Sequence, residues 1–347
     1  MSFRVSVKPS GRQFDVEVNE TILTAALRQG VALPYGCKNG ACGSCKGTVM
    51  AGTFTQGKYA PNALSSSEQA AGKALFCCAF PNADMTIECR EIAGAGDIPI
   101  KKLPARIANM QRLGQDVMII KLQLPATERL QFLAGQYIEL LLRNGERRSY
   151  SIANAPEIEG PIELHIRHMP GGMLTDMLFG DTVPVIKERD ILRFEGPLGN
   201  FFLREDSDQP IVMLASGTGF APVKAIIESM AFKNINRPIK FYWGGRRPQD
   251  LYMHNICQGW QQTMPHLTYI PVVSEALPED NWAGRTGLVH HAVMADLPDL
   301  SSYQVYACGA PVMVEAARQD FINSCQLPEP AFFADAFISE ADKAKLV

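Results

Sequence analysis

The sequence lacks any apolar run approaching the roughly 18 residues that would indicate a membrane-spanning helix. Its first eight residues alternate like a β-strand and lack the apolar stretch of a signal peptide, so we expect a cytoplasmic protein. An excess of charge of one sign is also missing, because the formal net charge is −3 over 347 residues. Nothing in this balance favours nucleic acid or a membrane surface as a partner.

The nine cysteines are odd in number, which argues against a disulfide framework. Four of them are spaced for a metal cluster instead: Cys37, Cys42 and Cys45 form a C-x4-C-x2-C run, and Cys77 follows at a distance. This is the spacing of plant-type [2Fe–2S] ferredoxins, and the small residues between the thiols let the backbone turn tightly around a cluster. Zinc is the main competing metal for such thiols, although structural zinc sites usually arrange their ligands as two zinc knuckles, each with a pair of ligands. Buried free thiols are the remaining alternative.

The fourth cluster ligand has two adjacent candidates, Cys77 and Cys78. The segment resembles the ferredoxin stretch in which a ligand cysteine is followed by a short residue, alanine, an aromatic and proline. That alignment selects Cys77 and leaves Cys78 in reserve. Cys89, Cys257 and Cys325 have no ligand spacing and are interpreted as core thiols.

A chain of 347 residues exceeds the size of a single hydrophobic core, so two or three domains are expected. Residues 1–92 contain a hairpin signal, a helix over residues 22–29 that Thr21 can cap, and further strands. This pattern suits the β-grasp fold of the plant-type ferredoxins that the cysteine run resembles. Residues 93–103 are interpreted as a linker.

Residues 104–205 consist of short β-rich runs separated by turns, as an antiparallel β-barrel requires. Within them, Arg148, Tyr150 and Ser151 match the R-x-[YF]-[ST] flavin motif of the ferredoxin–NADP reductase superfamily, which the sequence resembles here. The resemblance implies bound FAD. Arg148 would bind its pyrophosphate, Tyr150 would stack on the isoalloxazine, and Ser151 would lie near the reactive flavin nitrogen as a catalytic residue.

A second FAD-binding element resembles the strand, glycine pair and helix start of the same superfamily. Its candidate residues are His165, Gly171, Gly172 and Thr175, and the glycine region would bring backbone N–H groups to the pyrophosphate. His165 and His168 alternate on the strand. We interpret them as surface or flavin-neighbouring residues rather than metal ligands.

From residue 206 to residue 347, apolar runs alternate with helical segments, which predicts an α/β domain with a doubly wound parallel sheet. A buried-strand run over residues 210–216 leads into Gly217, Thr218 and Gly219, and Pro222 stands in the first turn of the following helix. The glycines allow a nicotinamide pyrophosphate to approach the backbone at a helix N-terminus. The full G-T-G-x-A-P form is that of the reductase superfamily.

Two arginines, Arg246 and Arg247, follow the next strand, where related reductases read the adenosine ribose. They could pair with a 2′-phosphate and favour NADPH, whereas NADH sites usually place an acid on the 2′-hydroxyl, and Asp250 is the nearby acid. Similar reductases use NADH, so we expect NADH, with NADPH not excluded. A solvated loop is the alternative interpretation of both arginines.

Two further segments resemble the superfamily near the C-terminus. Cys308 and Gly309 match its C-G-x-x-x-M element, which implies that both lie beside the nicotinamide and that Cys308 helps to position C4 for hydride transfer. The segment over residues 331–337 resembles the one that covers the flavin, which makes Asp335 and Phe337 candidates there. Ordinary terminal packing is the alternative.

Together these motifs predict a two-electron to one-electron transformer, in which NAD(P)H, FAD and a [2Fe–2S] cluster pass electrons to an acceptor protein. Over essentially the whole chain the sequence resembles the CDP-6-deoxy-3,4-glucoseen reductase family of deoxysugar biosynthesis, whose partner is a dehydratase. The reductase component of an aromatic-ring or phenol-type oxygenase is the alternative, as is a broad flavin or ferric reductase. A redox-sensing binding module is a further hypothesis, with no support beyond the cluster motif.

Overall fold

The computed structural model describes residues 2–61, 63–89, 91 and 98–337, and these form two compact units. One unit consists of the described residues of Met1–Pro99 and Asp335–Val347, and the other is Ile100–Ala334. The predicted linker lies partly outside the described residues, and the strand that begins at Lys101 occupies its last three positions. No helix in these described ranges is long and apolar enough to cross a membrane.

The first unit has the mixed sheet of a β-grasp fold, as predicted. Its sheet order is β2-β1-β7-β3-β5, with β1 antiparallel to β2 and parallel to β7. The predicted helix α1 begins after Thr21, whose hydroxyl accepts the Thr24 N–H at 3.2 Å, and it buries Ile22 and Leu23 in the core. The elements are β1 (Ser2–Lys8), β2 (Gln13–Glu17), α1 (Ile22–Arg28), β3 (Lys46–Ala51), β4 (Phe54–Gln56), α2 (Ser66–Ala70), β5 (Lys73–Leu75), β6 (Ala79–Pro81) and β7 (Met85–Glu88).

The second unit begins with a six-stranded antiparallel sheet in the order β11-β10-β13-β8-β9-β12. An isolated bridge between Ile152 and Leu164 joins its two outer strands and closes the predicted barrel. The elements are β8 (Lys101–Leu113), β9 (Val117–Gln123), β10 (Tyr137–Leu141), β11 (Arg147–Ser151), β12 (Ile162–Arg167), α3 (Met173–Phe179) and β13 (Ile191–Leu198). Alternate residues of these strands fill an aliphatic core, so the barrel places the polar ends of β11 and β12 at its rim.

The predicted parallel sheet follows, in the order β17-β16-β15-β14-β18-β19. Each pairing from β17 to β18 is parallel, and the central strands β14, β15 and β18 are buried, largely apolar runs, as a sheet covered on both faces requires. The elements are β14 (Ile211–Ser216), α4 (Phe220–Phe232), β15 (Ile239–Gly245), α5 (His254–Thr263), β16 (Leu267–Val273), β17 (Arg285–Thr286), α6 (Val289–Asp296), β18 (Gln304–Gly309), α7 (Pro311–Ser324) and β19 (Phe332–Ala336).

A buried polar network joins the barrel to the parallel sheet within the second unit. Lys224 of α4 extends its Nζ to within 3.2 Å of Glu163 Oε1 on β12 and donates to the Ala153 carbonyl at 3.0 Å. His165, also on β12, hydrogen-bonds Glu163 at 3.0 Å through Nε2 and the Tyr252 hydroxyl at 2.8 Å through Nδ1. We call Glu163, His165, Lys224 and Tyr252 the junction network. Lys224 Nζ also lies 2.8 Å from Glu228 Oε1 on its own helix, so separating the barrel from the sheet would leave Lys224 with a partner but remove Lys224 from Glu163. The network therefore anchors the barrel to the sheet through the buried Glu163 carboxylate.

We predict that Glu163→Gln lowers the apparent Tm by roughly 4–8 °C at neutral pH, since losing a buried charged partner costs about 2 kcal/mol. Burial opposes ionisation of Glu163, but the His165 hydrogen bond and the Lys224 charge hold its pKa at about 2, against an ordinary 4.5. This stabilisation is therefore complete above pH 4.5 and is lost as the pH falls toward 2. The difference between the two proteins should narrow below pH 4.5 in thermal melts at a fixed scan rate. Glu159→Gln, at an exposed position, is the control; a Glu163→Gln melt that matches it at pH 7 would contradict the prediction.

Candidate functional site

The four predicted cluster cysteines form two pairs of thiols. Cys45 Sγ and Cys77 Sγ lie 3.1 Å apart. In the other pair the Cys37 N–H donates to Cys42 Sγ at 3.4 Å, and the two side chains are hydrogen-bonded. That hydrogen bond is the main cause that lowers the pKa of Cys42 to about 5. Two pairs of thiols fit a [2Fe–2S] cluster, in which each iron takes two protein ligands.

The spacing of these sulfurs fits zinc less well. Four thiolates around one zinc ion at about 2.3 Å would lie about 3.8 Å from one another. In the part of the chain that the structure describes, no three cysteine sulfurs lie mutually within 4.8 Å. The four cysteine sulfurs are therefore too widely spaced for one zinc ion, and their spacing suits the larger core of a dinuclear cluster.

Glycine is required in the cysteine loop where other backbone approaches it closely. Gly40 has φ +79°, and a Cβ there would lie 2.7 Å from the Lys58 carbonyl oxygen. The Ala41 N–H that follows donates to Cys37 Sγ at 3.4 Å. The loop thus supplies both thiols and N–H donors to sulfur, as the sequence predicted.

The two candidates for the fourth ligand differ in their surroundings. Cys77 Sγ contacts the Cys45 thiol, whereas Cys78 Sγ lies 3.5 Å from Cys77 Sγ and near Gly40. Both thiols are buried. Cys78 therefore lies beside the four paired cysteines and is not a member of either pair.

The segment predicted to cover a flavin contributes a buried carboxyl to the first unit. Asp335 Oδ1 lies 3.5 Å from the position of a Cβ on Gly36, next to Cys37. Burial, followed by the charge of Cys42, raises the pKa of Asp335 to about 7. Phe337 is half-buried, and its flavin role stays a prediction.

The predicted flavin motif lies on β11, at the rim of the barrel. Ser151 is 5% exposed, and its buried Oγ has no hydrogen-bond partner. A buried hydroxyl without a partner is costly, so this atom fits a site completed by a polar cofactor edge. Tyr150 is packed against the barrel core, and burial raises its pKa while the charge of Arg148 opposes the rise. The Arg148 guanidinium donates to Glu146 at 2.5 Å, and Glu146 is exposed, so a pyrophosphate can replace that surface partner.

The glycine pair before α3 is arranged differently from the expectation. The Gly171 N–H donates to Asp176 Oδ2 at 3.1 Å, and the Gly172 N–H donates to the Met169 carbonyl at 2.8 Å. Thr175 Oγ1 likewise donates to the Met169 carbonyl at 2.9 Å. These groups close the loop on itself, and binding of pyrophosphate by the glycines stays a prediction.

The two histidines of β12 and its end are not equivalent. His165 is not a surface residue, because its side chain is wholly buried in the junction network, where burial lowers its pKa. His168 stacks on Phe179 and lies 3.1 Å from Asp176 Oδ1 and 3.0 Å from Asp181 Oδ2.

The glycine turn after β14 meets the end of β18, so two segments that the sequence assigned separately to the nicotinamide nucleotide lie together. A Cβ on Gly219 would lie 2.2 Å from the Cys308 carbonyl oxygen, so only glycine permits this approach. Gly309 has φ +139°, and the next N–H, that of Ala310, donates to Ser216 Oγ at 3.0 Å. Cys308 is wholly buried at this edge. Gly217 and Thr218 lie in the turn, and Pro222 in the first turn of α4. The carboxyl ends of parallel strands form this edge, which is where doubly wound sheets bind nucleotides.

The two arginines after β15 have different partners. Arg247 forms a bidentate ion pair with Asp280, with both N···O distances 2.7 Å. Arg246 is 66% exposed, and Asp250 accepts the backbone N–H groups of both arginines. Asp280 was missed by sequence reasoning, because it is 33 residues away and belongs to no motif. It leaves the Arg247 guanidinium engaged rather than free for a 2′-phosphate.

Three family models match the chain in this order. A 2Fe-2S iron-sulfur cluster binding domain matches residues 5–82, an oxidoreductase FAD-binding domain matches residues 104–203, and an oxidoreductase NAD-binding domain matches residues 213–319. The predicted cofactor set is thereby confirmed: a [2Fe–2S] cluster, FAD and a nicotinamide.

Relatives match over nearly the whole length. The chain is 42% identical to the CDP-6-deoxy-L-threo-D-glycero-4-hexulose-3-dehydrase reductase of Yersinia pestis, covering 97% of this chain and 99% of the relative. It is 34% identical to the phenol hydroxylase P5 protein of Acinetobacter pittii, covering 99% and 97%. Among solved structures, the Amycolatopsis cytochrome P450 reductase GcoB superposes with a TM-score of 0.77 at 33% identity, covering 96% and 98%. The chain therefore belongs to the family of the CDP-6-deoxyhexulose-3-dehydrase reductases, NAD(P)H-dependent iron–sulfur flavoproteins of the ferredoxin–NADP reductase superfamily.

Proposed function

We propose that this reductase delivers electrons to a dehydrase that acts on a CDP-bound 6-deoxyhexulose. The observation that supports this acceptor is the 42% identity to a reductase named for that dehydrase, maintained over 97% of the chain. The electron donor is NAD(P)H, and bound FAD would supply the chemistry that accepts hydride from it and passes electrons on singly to the cluster. The chain's own contribution is to position these groups and to exclude water from them.

We assign the cofactors to residues as the sequence motifs indicated, with support from the paired thiols and from the buried Ser151 hydroxyl that has no partner. Cys37, Cys42, Cys45 and Cys77 hold the cluster; Arg148, Tyr150, Ser151 and the Gly171–Gly172 loop with Thr175 hold FAD; the Gly217–Gly219 turn, Pro222, Cys308 and Gly309 hold the nicotinamide nucleotide. His165 supports the flavin element through the junction network. The domains on this proposal are residues 1–92, 104–205 and 206–347.

An oxygenase component is the second candidate acceptor, favoured by the 34% identity to a phenol hydroxylase protein. The test supplies purified reductase and NADH with either the dehydrase and its CDP-6-deoxyhexulose or an oxygenase component and phenol. We expect NADH oxidation that depends on both dehydrase and sugar. Dependence on the oxygenase pair alone would overturn the proposed acceptor. Equal rates with free flavin or ferric iron and no protein acceptor would favour a broad reductase.

We predict that Cys77→Ser abolishes the cluster while Cys78→Ser retains it. The reason is that Cys77 pairs with Cys45 at 3.1 Å, whereas Cys78 contacts only the Cys77 thiol among the ligand candidates at hydrogen-bond distance. Iron and acid-labile sulfide content, with the visible cluster absorption, measure the outcome, and FAD content reports that each variant has folded. Cluster loss in Cys78→Ser with retention in Cys77→Ser would reverse the assignment.

We predict that the reductase prefers NADH and that Asp280→Ala relaxes this preference. Removing Asp280 takes away the two 2.7 Å bonds of the Arg247 guanidinium and leaves the exposed Glu279 carboxylate, 3.6 Å away, which a 2′-phosphate can displace. The value of kcat/KM for NADPH should therefore rise about fivefold, the equivalent of roughly 1 kcal/mol. Steady-state rates with both nucleotides measure this, and Glu275→Gln, at an exposed position of the same region, is the control. An unchanged NADPH value in Asp280→Ala would show that Arg247 does not face the ribose.

A further inference from the structure

Two helices of the parallel-sheet region carry a cluster of metal-ligating side chains outside the cofactor sites. His290 and His291 lie on α6, and Asp320 lies on α7. One ligand atom from each falls within 4.8 Å of the other two. The chain has six histidines, so two of them are concentrated at this point.

The distances within this cluster match the coordination of a small transition-metal ion. Zinc binds imidazole nitrogen and carboxylate oxygen at about 2.0–2.2 Å, which places tetrahedral ligand atoms about 3.4 Å from one another. His290 Nε2 lies 3.4 Å from Asp320 Oδ2. His291 Nε2 lies 4.0 Å from the same oxygen, and its side chain is 61% exposed, so the ring can move the remaining distance without repacking the core.

Burial and charge also suit a cation here. His290 is only 7% exposed and anchors the cluster in the α6–α7 interface, while the Asp320 carboxylate supplies the negative charge. The three side chains thus offer two imidazole nitrogens and one carboxylate oxygen to a single cation, and these are donor types that zinc takes in proteins.

We propose that His290, His291 and Asp320 bind one divalent transition-metal ion of the zinc class, with water in the fourth position. Imidazole and carboxylate ligands favour Zn²⁺ over Mg²⁺ or Ca²⁺, which take oxygen ligands. The bound ion clamps α6 to α7. Val289, the first residue of α6, packs against Gly244 at the end of β15, so the clamp stiffens the corner of the sheet that precedes Arg246.

The test is calorimetric titration of ZnCl₂ into the purified holoprotein, whose cluster cysteines are already ligated to iron. We expect one ion per chain with a Kd on the order of 1–10 µM, weaker than four-ligand structural zinc sites. Affinity should fall at least tenfold in His291→Ala and in Asp320→Asn, and Glu315→Gln on the same helix should bind as the parent does. Zn²⁺ should raise the Tm of the parent and of Glu315→Gln, and leave that of His291→Ala unchanged.

Two binding results would overturn the proposed metal site: no binding of Zn²⁺ below about 1 mM, or equal binding by the parent and His291→Ala. Loss of binding in His168→Ala instead would also overturn it, because His168 with Asp176 and Asp181 forms the other such cluster among the described residues. Using both His291→Ala and Asp320→Asn keeps the test decisive if one of them folds poorly. Cofactor content and melting without zinc report folding in each case.

Discussion

The buried ion pair between Glu163 and Lys224 is the interaction on which the geometry of the second unit depends. Hydride transfer requires a nicotinamide held on the parallel sheet to meet a flavin held on the barrel, and effective molarity falls steeply when such groups are misplaced by about 1 Å. The ion pair spans these two substructures at 3.2 Å. Glu228 and the Ala153 carbonyl also contact the Lys224 ammonium, and His165, held by Tyr252, hydrogen-bonds Glu163. Breaking the pair would leave the buried Glu163 carboxylate less well compensated, so the network favours the arrangement of barrel and sheet in which it is intact.

Much of the fold and of the site was predictable because the responsible signals are local. The cysteine run predicts a tight loop, and Thr21 caps the helix that directly follows it. Around Gly217, a buried strand, a glycine turn and a helix follow one another directly along the chain. Even the meeting of Gly219 with Cys308 could be inferred, since parallel strands bring their carboxyl ends to one edge of the sheet. The family models confirm the order of cofactors that these segments indicated.

What sequence reasoning missed are partnerships between distant polar residues. Asp280 lies 33 residues from Arg247, and Tyr252 lies 87 residues from His165, so no spacing rule connects them. The same limit explains why the sequence left His165 as either a surface or a flavin-neighbouring residue, since alternation on a strand reports the face of a side chain and not what packs over it. Hydrogen bonding within the Gly171–Gly172 loop is likewise invisible to composition, because a glycine pair permits several turn geometries.

The reductase works only if electrons pass from the nicotinamide through the flavin to the cluster. To test this relay, NADH is added anaerobically to the purified protein while flavin absorbance is followed and samples are frozen for low-temperature EPR. We expect the flavin to bleach and the signal of a reduced [2Fe–2S] cluster to rise on the timescale of turnover. Flavin bleaching without any cluster signal would contradict it, because the ferredoxin-like unit would then not receive electrons from the flavin.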